Sequence, residues 1–260
     1  MKRTLRAVML DWAGTTVDHG SLAPTKVFLE VFERCDVPIT VAEARGPMGR
    51  AKRDHIAAIV ALPRVAEAWR LKHGLAPTDH DVQTMYDDFL PLQKATLATN
   101  SNVIAGVPEA IAELRRRGLK IGSSTGYTRE LMEVVAPIAA RGGYEPDVVL
   151  CADDVERGRP WPDLNLKGAE LLGVRDMGAV VVVDDTPVGI EAGRNAGAIT
   201  VAVSRTGNAL GLTAEEVEAL GARELSTRLM KIEAEFLGMG ADHVIESVAD
   251  LPHLLDRLVG

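Results

Sequence analysis

The residues able to do chemistry in this chain fall into a few short runs. Leu10-Asp11-Trp12-Ala13-Gly14-Thr15-Thr16-Val17-Asp18 places an acid at the end of an apolar stretch and follows it with a Gly-Thr turn. A carboxylate beside free backbone N–H groups suits a nucleophile that attacks phosphorus while the amides hold the phosphoryl oxygens. Taken alone, the same acid reads more readily as the cap of a turn. Three later runs add to it. Lys120–Ser124 leads into Thr125-Gly126-Tyr127, which supplies a hydroxyl and a flexible backbone. Gly158-Arg159-Pro160 sets a cation beside a proline, and Asp184-Asp185-Thr186 ends the most apolar run with adjacent acids. Such a pair makes a hard-oxygen site suited to Mg²⁺. Nucleophile, hydroxyl, cation and metal are together what phosphoryl transfer requires.

Positioning these groups needs strands whose ends converge. Leu5–Leu10, Lys120–Ser124, Asp147–Cys151, Ala179–Val183, Ile199–Val203 and, more weakly, His243–Ile245 read as strands. Amphipathic helices are expected at Pro108–Arg117, Arg129–Arg141, Asp163–Leu172, Val188–Asn195, Leu225–Gly240 and Leu251–Leu258. Apolar strands alternating with helices predict an α/β fold, a Rossmann-like doubly wound parallel sheet, with polar turns at the strand ends where such sheets place ligands. From residue 21 to 100 the alternation stops. That stretch holds only helical patterns, Pro24–Arg34, Ala51–Leu62, Arg64–Lys72 and Asp79–Leu97, punctuated by Pro38, Pro47, Pro63 and Pro77. A helical cap at 21–100 inserted in a core of 1–20 and 101–260 is expected.

The 260 residues are 47% hydrophobic and 25% charged, the composition of a globular protein with a sizeable core. No apolar run is long enough to cross a bilayer, and the first residues read as a strand and not a signal peptide, so a cytoplasmic protein without membrane contact is expected. A net charge of −8 argues against a nucleic-acid surface and requires local cations to draw in an anionic substrate. Cys35 and Cys151 sit in no metal-ligand or CxxC spacing and are expected to be buried thiols.

In their order, the four runs resemble the haloacid dehalogenase superfamily over essentially the whole chain. The resemblance implies that Asp11 is a covalent nucleophile, with Thr125, Arg159 and Asp185 as the hydroxyl, cation and metal acid. One departure is informative. Many members carry a second acid two residues after the nucleophile to protonate a departing alkoxide, where this chain has Ala13. Alanine moves no proton, so either the protein is inert or its leaving group needs no such acid. The cap suggests which. In Pro47-Met48-Gly49-Arg50-Ala51-Lys52-Arg53-Asp54-His55, Lys52 and His55 are three apart and share a helix face. A lysine that condenses with an aldehyde lets a carbon on phosphorus depart as an enamine.

These runs, with Thr125-Gly126-Tyr127-Thr128-Arg129, are similar to the phosphonatase family, which hydrolyses the P–C bond of phosphonoacetaldehyde. That resemblance implies a Schiff base at Lys52, proton transfers assisted by His55, and an aldehyde end surrounded by Met48, His55 and Tyr127. Gly49, Gly126 and Thr15 would complete the substrate site. Mg²⁺ would be held by Asp11, the carbonyl of Ala13 and Asp185, and the protein would be a homodimer through its cap. Many relatives have another acid four residues past the metal acid. Here that position is Gly189, and Asp184 is the candidate replacement, as a metal ligand or as an orienter of waters. Arg50 and Arg53 are candidate cations for lowering the pKa of Lys52. An ordinary phosphate-ester phosphatase, an inactive binding relative and a metal-free dehalogenase are the competing readings, disfavoured respectively by Ala13, by the intact set of reactive residues and by the paired acids.

Overall fold

The computed structural model describes residues 4–259. Six apolar runs form β1 (Ala7–Leu10), β2 (Lys120–Ser124), β3 (Val148–Leu150), β4 (Val180–Asp184), β5 (Ile199–Val203) and β6 (His243–Ile245). They pair in parallel in the order β3-β2-β1-β4-β5-β6. Side chains alternate across a strand, and β1 shows the consequence. Val8 and Leu10 join one apolar cluster, while Ala7 and Met9 join another on the opposite face.

The first cluster is covered by α6 (Val107–Arg116), α7 (Arg129–Arg141) and α12 (Leu251–Val259). The other face is covered by α8 (Asp163–Leu171), α9 (Pro187–Asn195) and α11 (Ala222–Gly238), with α10 (Ala214–Ala219) between β5 and α11. Chain order runs one way from β1 through β2 to β3 and the other way from β4 to β6. The β1–β4 boundary is therefore a topological switch point, where open α/β sheets bind ligands. Leu10 pairs with Val183, so Asp11 follows β1 beside Asp184 at the end of β4.

Helices α1 (Leu22–Arg34), α2 (Val41–Arg45), α3 (Lys52–Val60), α4 (Pro63–His73) and α5 (Asp79–Leu97) enclose their own apolar cluster, built on Val27, Phe28, Phe32, Ile56, Trp69 and Phe89. This is the cap expected between β1 and the rest of the sheet.

The strand ends differ from expectation at polar residues. Asp147 stays outside β3 because its carboxylate accepts the Ile121 N–H at 2.8 Å and pairs with Arg115 at 2.6 Å. Cys151 leaves the strand with its N–H on Asp154 at 2.7 Å. Asp184, in contrast, stays inside β4, in register with Ala202. The short helices α2 and α10 were not foreseen. Each starts with a capping box, Thr40 with Glu43 and Thr213 with Glu216. Both cysteines are free thiols; Cys151 is buried as expected, and Cys35 is half-buried.

Candidate active site

The ends of β1, β2 and β4 and the loop after β3 deliver the core residues to one place. The buried guanidinium of Arg159 donates through Nη1 to Asp11 Oδ1 at 2.7 Å and stands 3.1 Å from Asp184 Oδ2. Its Nη2 donates to the Ser124 carbonyl at 2.8 Å and hydroxyl at 2.9 Å, which locks the fork in place. Burial pushes the Asp11 carboxyl up to about 7, against the opposing pull of Arg159. Burial, and then the neighbouring Asp11, push Asp185 well above the carboxylate range.

Gly14 makes the acid cluster compact. It has a φ of +85°, and a Cβ there would meet Asp185 Oδ2 at 2.0 Å. Only glycine allows both that conformation and that approach. Carboxylate oxygens of Asp11, Asp184 and Asp185 lie within 4.8 Å of one another. Arg159 pairs with Asp11 and Asp184 but not with Asp185 among the described residues. The Ala13 carbonyl accepts none of the hydrogen bonds among those residues. Excess buried negative charge on hard oxygens fits a hard divalent cation. Trp12 and Ala13 likewise have N–H groups with no acceptor among the described residues.

The cap closes over this cluster. Its turn at residues 47–51 presses on the core: a Cβ on Gly49 would meet Thr186 Oγ1 at 2.4 Å, and one on Gly126 would meet the Arg50 carbonyl at 2.4 Å. Lys52, at the start of α3, is 4% exposed. Its Nζ lies 4.7 Å from the ring centre of Tyr127 and 5.8 Å from that of Phe28, and it forms no ion pair among the described residues. Burial lowers its pKa to about 8, with Asp11 opposing and Arg159 assisting. The cation that assists most is thus Arg159, while Arg53 turns toward α5, where it bonds Gln83 and Asp79.

His55 is fully buried behind Lys52, stacked 3.8 Å from Phe28. Its Nε2 lies 2.8 Å from the Ala44 carbonyl, which can only accept, so this nitrogen carries the proton and Nδ1 keeps its lone pair. Burial, helped by Lys52, holds the imidazole well below its usual pKa and therefore neutral.

Asp11, Ala13, Met48, Gly49, Lys52, Thr125, Gly126, Tyr127 and Arg159 line one cavity of about 20 Å³, near the room for a single water. Thr125 accepts the Tyr127 N–H at 3.1 Å, leaving its hydroxyl proton available. His55, Asp184 and Asp185 stand behind the wall. Thr15 does too, contrary to the expected turn of free amides. Its N–H goes to the Trp12 carbonyl at 3.2 Å and its hydroxyl faces Asp185 at 3.4 Å. Ser21 and Pro24, given no role from sequence, line the cavity, and Phe28 supports both Lys52 and His55. Only the inward aromatic face of α1 hinted at Phe28. A larger cavity, about 650 Å³, lies elsewhere, beside the two cap–core connections at Asp18–Leu22 and Thr99–Ala105, and is lined by none of the reactive groups.

Comparison with known proteins agrees with this geometry. A family profile described as haloacid dehalogenase-like hydrolase matches residues 5–197. The phosphonoacetaldehyde hydrolase of Pseudomonas fluorescens (strain SBW25) is 47% identical over 255 residues, 98% of this chain and 93% of that protein. That of Paraburkholderia xenovorans (strain LB400) is 48% identical over 247 residues, 95% and 92% of the two chains. The crystal structure of a phosphonoacetaldehyde hydrolase-like protein from Oleispira antarctica superposes with a TM-score of 0.96 at 40% identity, covering 98% of this chain and 92% of that one. The chain belongs to the haloacid dehalogenase-like hydrolase family, among the relatives named phosphonoacetaldehyde hydrolase.

Proposed function

We propose that this protein hydrolyses the P–C bond of phosphonoacetaldehyde to acetaldehyde and phosphate. The observation that carries the reading is the buried Lys52, which is unpaired among the described residues and faces Asp11 and Arg159 across a closed cavity. The full-length relatives named for this activity support it.

An ordinary lysine, with a pKa of about 10.4, is only ~0.04% neutral at pH 7. At a pKa of about 8 the neutral share rises to roughly a tenth. Neutral Lys52 adds to the aldehyde carbon, and loss of water leaves an iminium. His55, behind Lys52 on the same helix face, takes up a proton at its free Nδ1 and, once protonated, returns it. Asp11 then attacks phosphorus as the P–C bond breaks. The bonding pair passes into the carbon skeleton to neutralise the iminium, giving an enamine and an aspartyl phosphate. Protonation at carbon and hydrolysis of the resulting iminium release acetaldehyde and regenerate Lys52, and water frees phosphate from Asp11. Arg159, the Thr125 hydroxyl and the N–H groups of Trp12 and Ala13 hold the phosphoryl oxygens. This cycle needs no acid at position 13.

Asp11, the Ala13 carbonyl and Asp185 would hold Mg²⁺, with Asp184 adding charge behind them. When bound, the ion screens the repulsion between Asp11 and an anionic phosphonate. Two exposed apolar side chains, Leu71 in the last turn of α4 (72% exposed) and Leu75 just past its end (76%), support pairing of caps in a homodimer.

The test is acetaldehyde release from phosphonoacetaldehyde with and without Mg²⁺, together with borohydride trapping. Turnover with mass added at Lys52 is expected, and Lys52→Arg should lose three orders of magnitude or more, roughly the scale on which a deleted nucleophile reports. Substantial turnover by Lys52→Arg would refute the Schiff base.

A further inference from the structure

Arg45, the last residue of α2, crosses from cap to core. Its Nη1 donates to the Gly20 carbonyl at 2.9 Å, the Asn208 carbonyl at 3.0 Å and Asn208 Oδ1 at 2.9 Å. Its Nη2 donates to the Gly211 carbonyl at 3.2 Å, and Asn208 Nδ2 returns a bond to the Arg45 carbonyl at 3.3 Å. No carboxylate pairs with this guanidinium among the described residues. It is therefore gripped by the shape of its fork, with Asp185 and Asp18 acting on its charge only from beyond ion-pair distance. The core is built around it: Gly211 has a φ of +66°, and a Cβ there would stand 2.6 Å from Arg45 Cζ.

The receiving loop, residues 206–211, also fixes the catalytic floor. The Thr206 hydroxyl donates to the Gly14 carbonyl at 2.8 Å, the Thr206 carbonyl accepts the Gly20 N–H at 2.7 Å, and the Asn208 N–H donates to Asp185 Oδ2 at 2.7 Å. On the cap side, the Ala44 carbonyl holds His55, and the Arg45 carbonyl accepts the Met48 N–H at 3.1 Å at the start of the turn that leads to Lys52. One loop thus grips the nucleophile turn, the metal acid, the cap connection and the helix whose carbonyls hold His55 and the turn leading to Lys52.

We infer that Arg45 is a positioning residue, a latch that seats the cap on the 206–211 loop and thereby sets Lys52 and His55 over Asp11. The inference rests on the role given to Lys52 above. It touches no substrate atom. Its effect is on how often, and how accurately, the lysine is presented.

The test compares wild type, Arg45→Ala, Arg45→Lys and Asn208→Ala by the rate of borohydride trapping at Lys52 with phosphonoacetaldehyde, across pH. Misplacement of a reacting group by about 1 Å costs roughly 10²-fold. Arg45→Ala should slow trapping and lower kcat/KM about 100-fold. Its trapping profile should also move to higher pH as the loosened cap rehydrates Lys52, which a purely structural loss would not produce. Arg45→Lys should fall between, because an ammonium cannot fork to four oxygens. Asn208→Ala keeps the N–H on Asp185 and serves as the second probe if Arg45→Ala does not fold; it should show the same shift in smaller measure. Wild-type protein trapped at Lys52, with Arg45→Ala or Asn208→Ala trapped at the same rate and pH, overturns the latch alone. Wild type that is not trapped at Lys52 overturns the functional reading and the latch with it.

Discussion

The carboxylate of Asp184 occupies the space that a side chain at Gly189 would need: a Cβ on Gly189 would lie 2.0 Å from Asp184 Cγ. Asp184 Oδ1 accepts the Thr186 N–H at 2.9 Å and hydroxyl at 2.6 Å, and Oδ2 faces Arg159. The acid on the strand and a side chain at position 189 of the following helix therefore exclude one another.

That exclusion can be tested as a thermodynamic cycle. Gly189→Asp alone should be nearly inactive, because two carboxylates cannot share the volume. Asp184→Gly should weaken the hold on Arg159 and lower kcat/KM. The double variant should recover activity relative to the sum of the single losses, with a coupling of about 1–3 kcal/mol in the kcat/KM cycle. Simple additivity would show that the two positions do not exchange one role.

The pH profile follows from Lys52. Only the neutral amine adds to an aldehyde, so kcat/KM should rise with pH and level off near 8, well short of the ~10.4 of an ordinary lysine. Phe28→Ala admits water beside the amine and should move that limb upward. A limb unmoved in Phe28→Ala would show that the aromatic wall does not set the titration.

The same burial carries a stability cost. The unfolded chain holds the Lys52 proton up to about 10.4 and the folded one only to about 8. Between those values the unfolded state binds more protons, and stability rises with pH; below about 8 the penalty is fully present. Lys52→Met should therefore be inactive yet more stable at pH 7, by as much as about 3 kcal/mol. Denaturant melts at pH 7 and pH 10 should show the gap narrowing at the higher pH.

Asp11 shows the opposite dependence. Its folded carboxyl titrates near 7 without a metal, so between pH 4 and 7 the folded state binds more protons than the unfolded and stability falls as pH rises. A divalent cation held by these acids would take the place of those protons. The increment in Tm given by Mg²⁺ over EDTA should be larger at pH 8 than at pH 5; equal increments would show that the acids do not hold the ion.

Asp11, Thr125 and Asp185 were legible in the sequence because each stands just past an apolar run, Arg159 because its loop follows one, and parallel strands bring their ends together. Lys52 was legible through what Ala13 lacks. Arg45, Phe28 and Asn208 were not, since their importance comes from packing between cap and core that no local pattern encodes. Arg53 misled for a simple reason. The next residue on a helix points about 100° away, so the neighbour in sequence reaches Asp79 while the effective cation comes from a loop more than a hundred residues later. The Thr15 amide misled because the turn is tighter than its composition implies.

With the cap seated, about 20 Å³ remains between lysine and aspartate. A compound must enter before closure, and whatever is bound must then fit beneath the lid or hold it ajar. Selectivity in such a chamber is a matter of size before it is one of charge. Each carbon added to an aldehyde phosphonate should hold the cap farther from the core and leave Lys52 wetter, more protonated and slower to react.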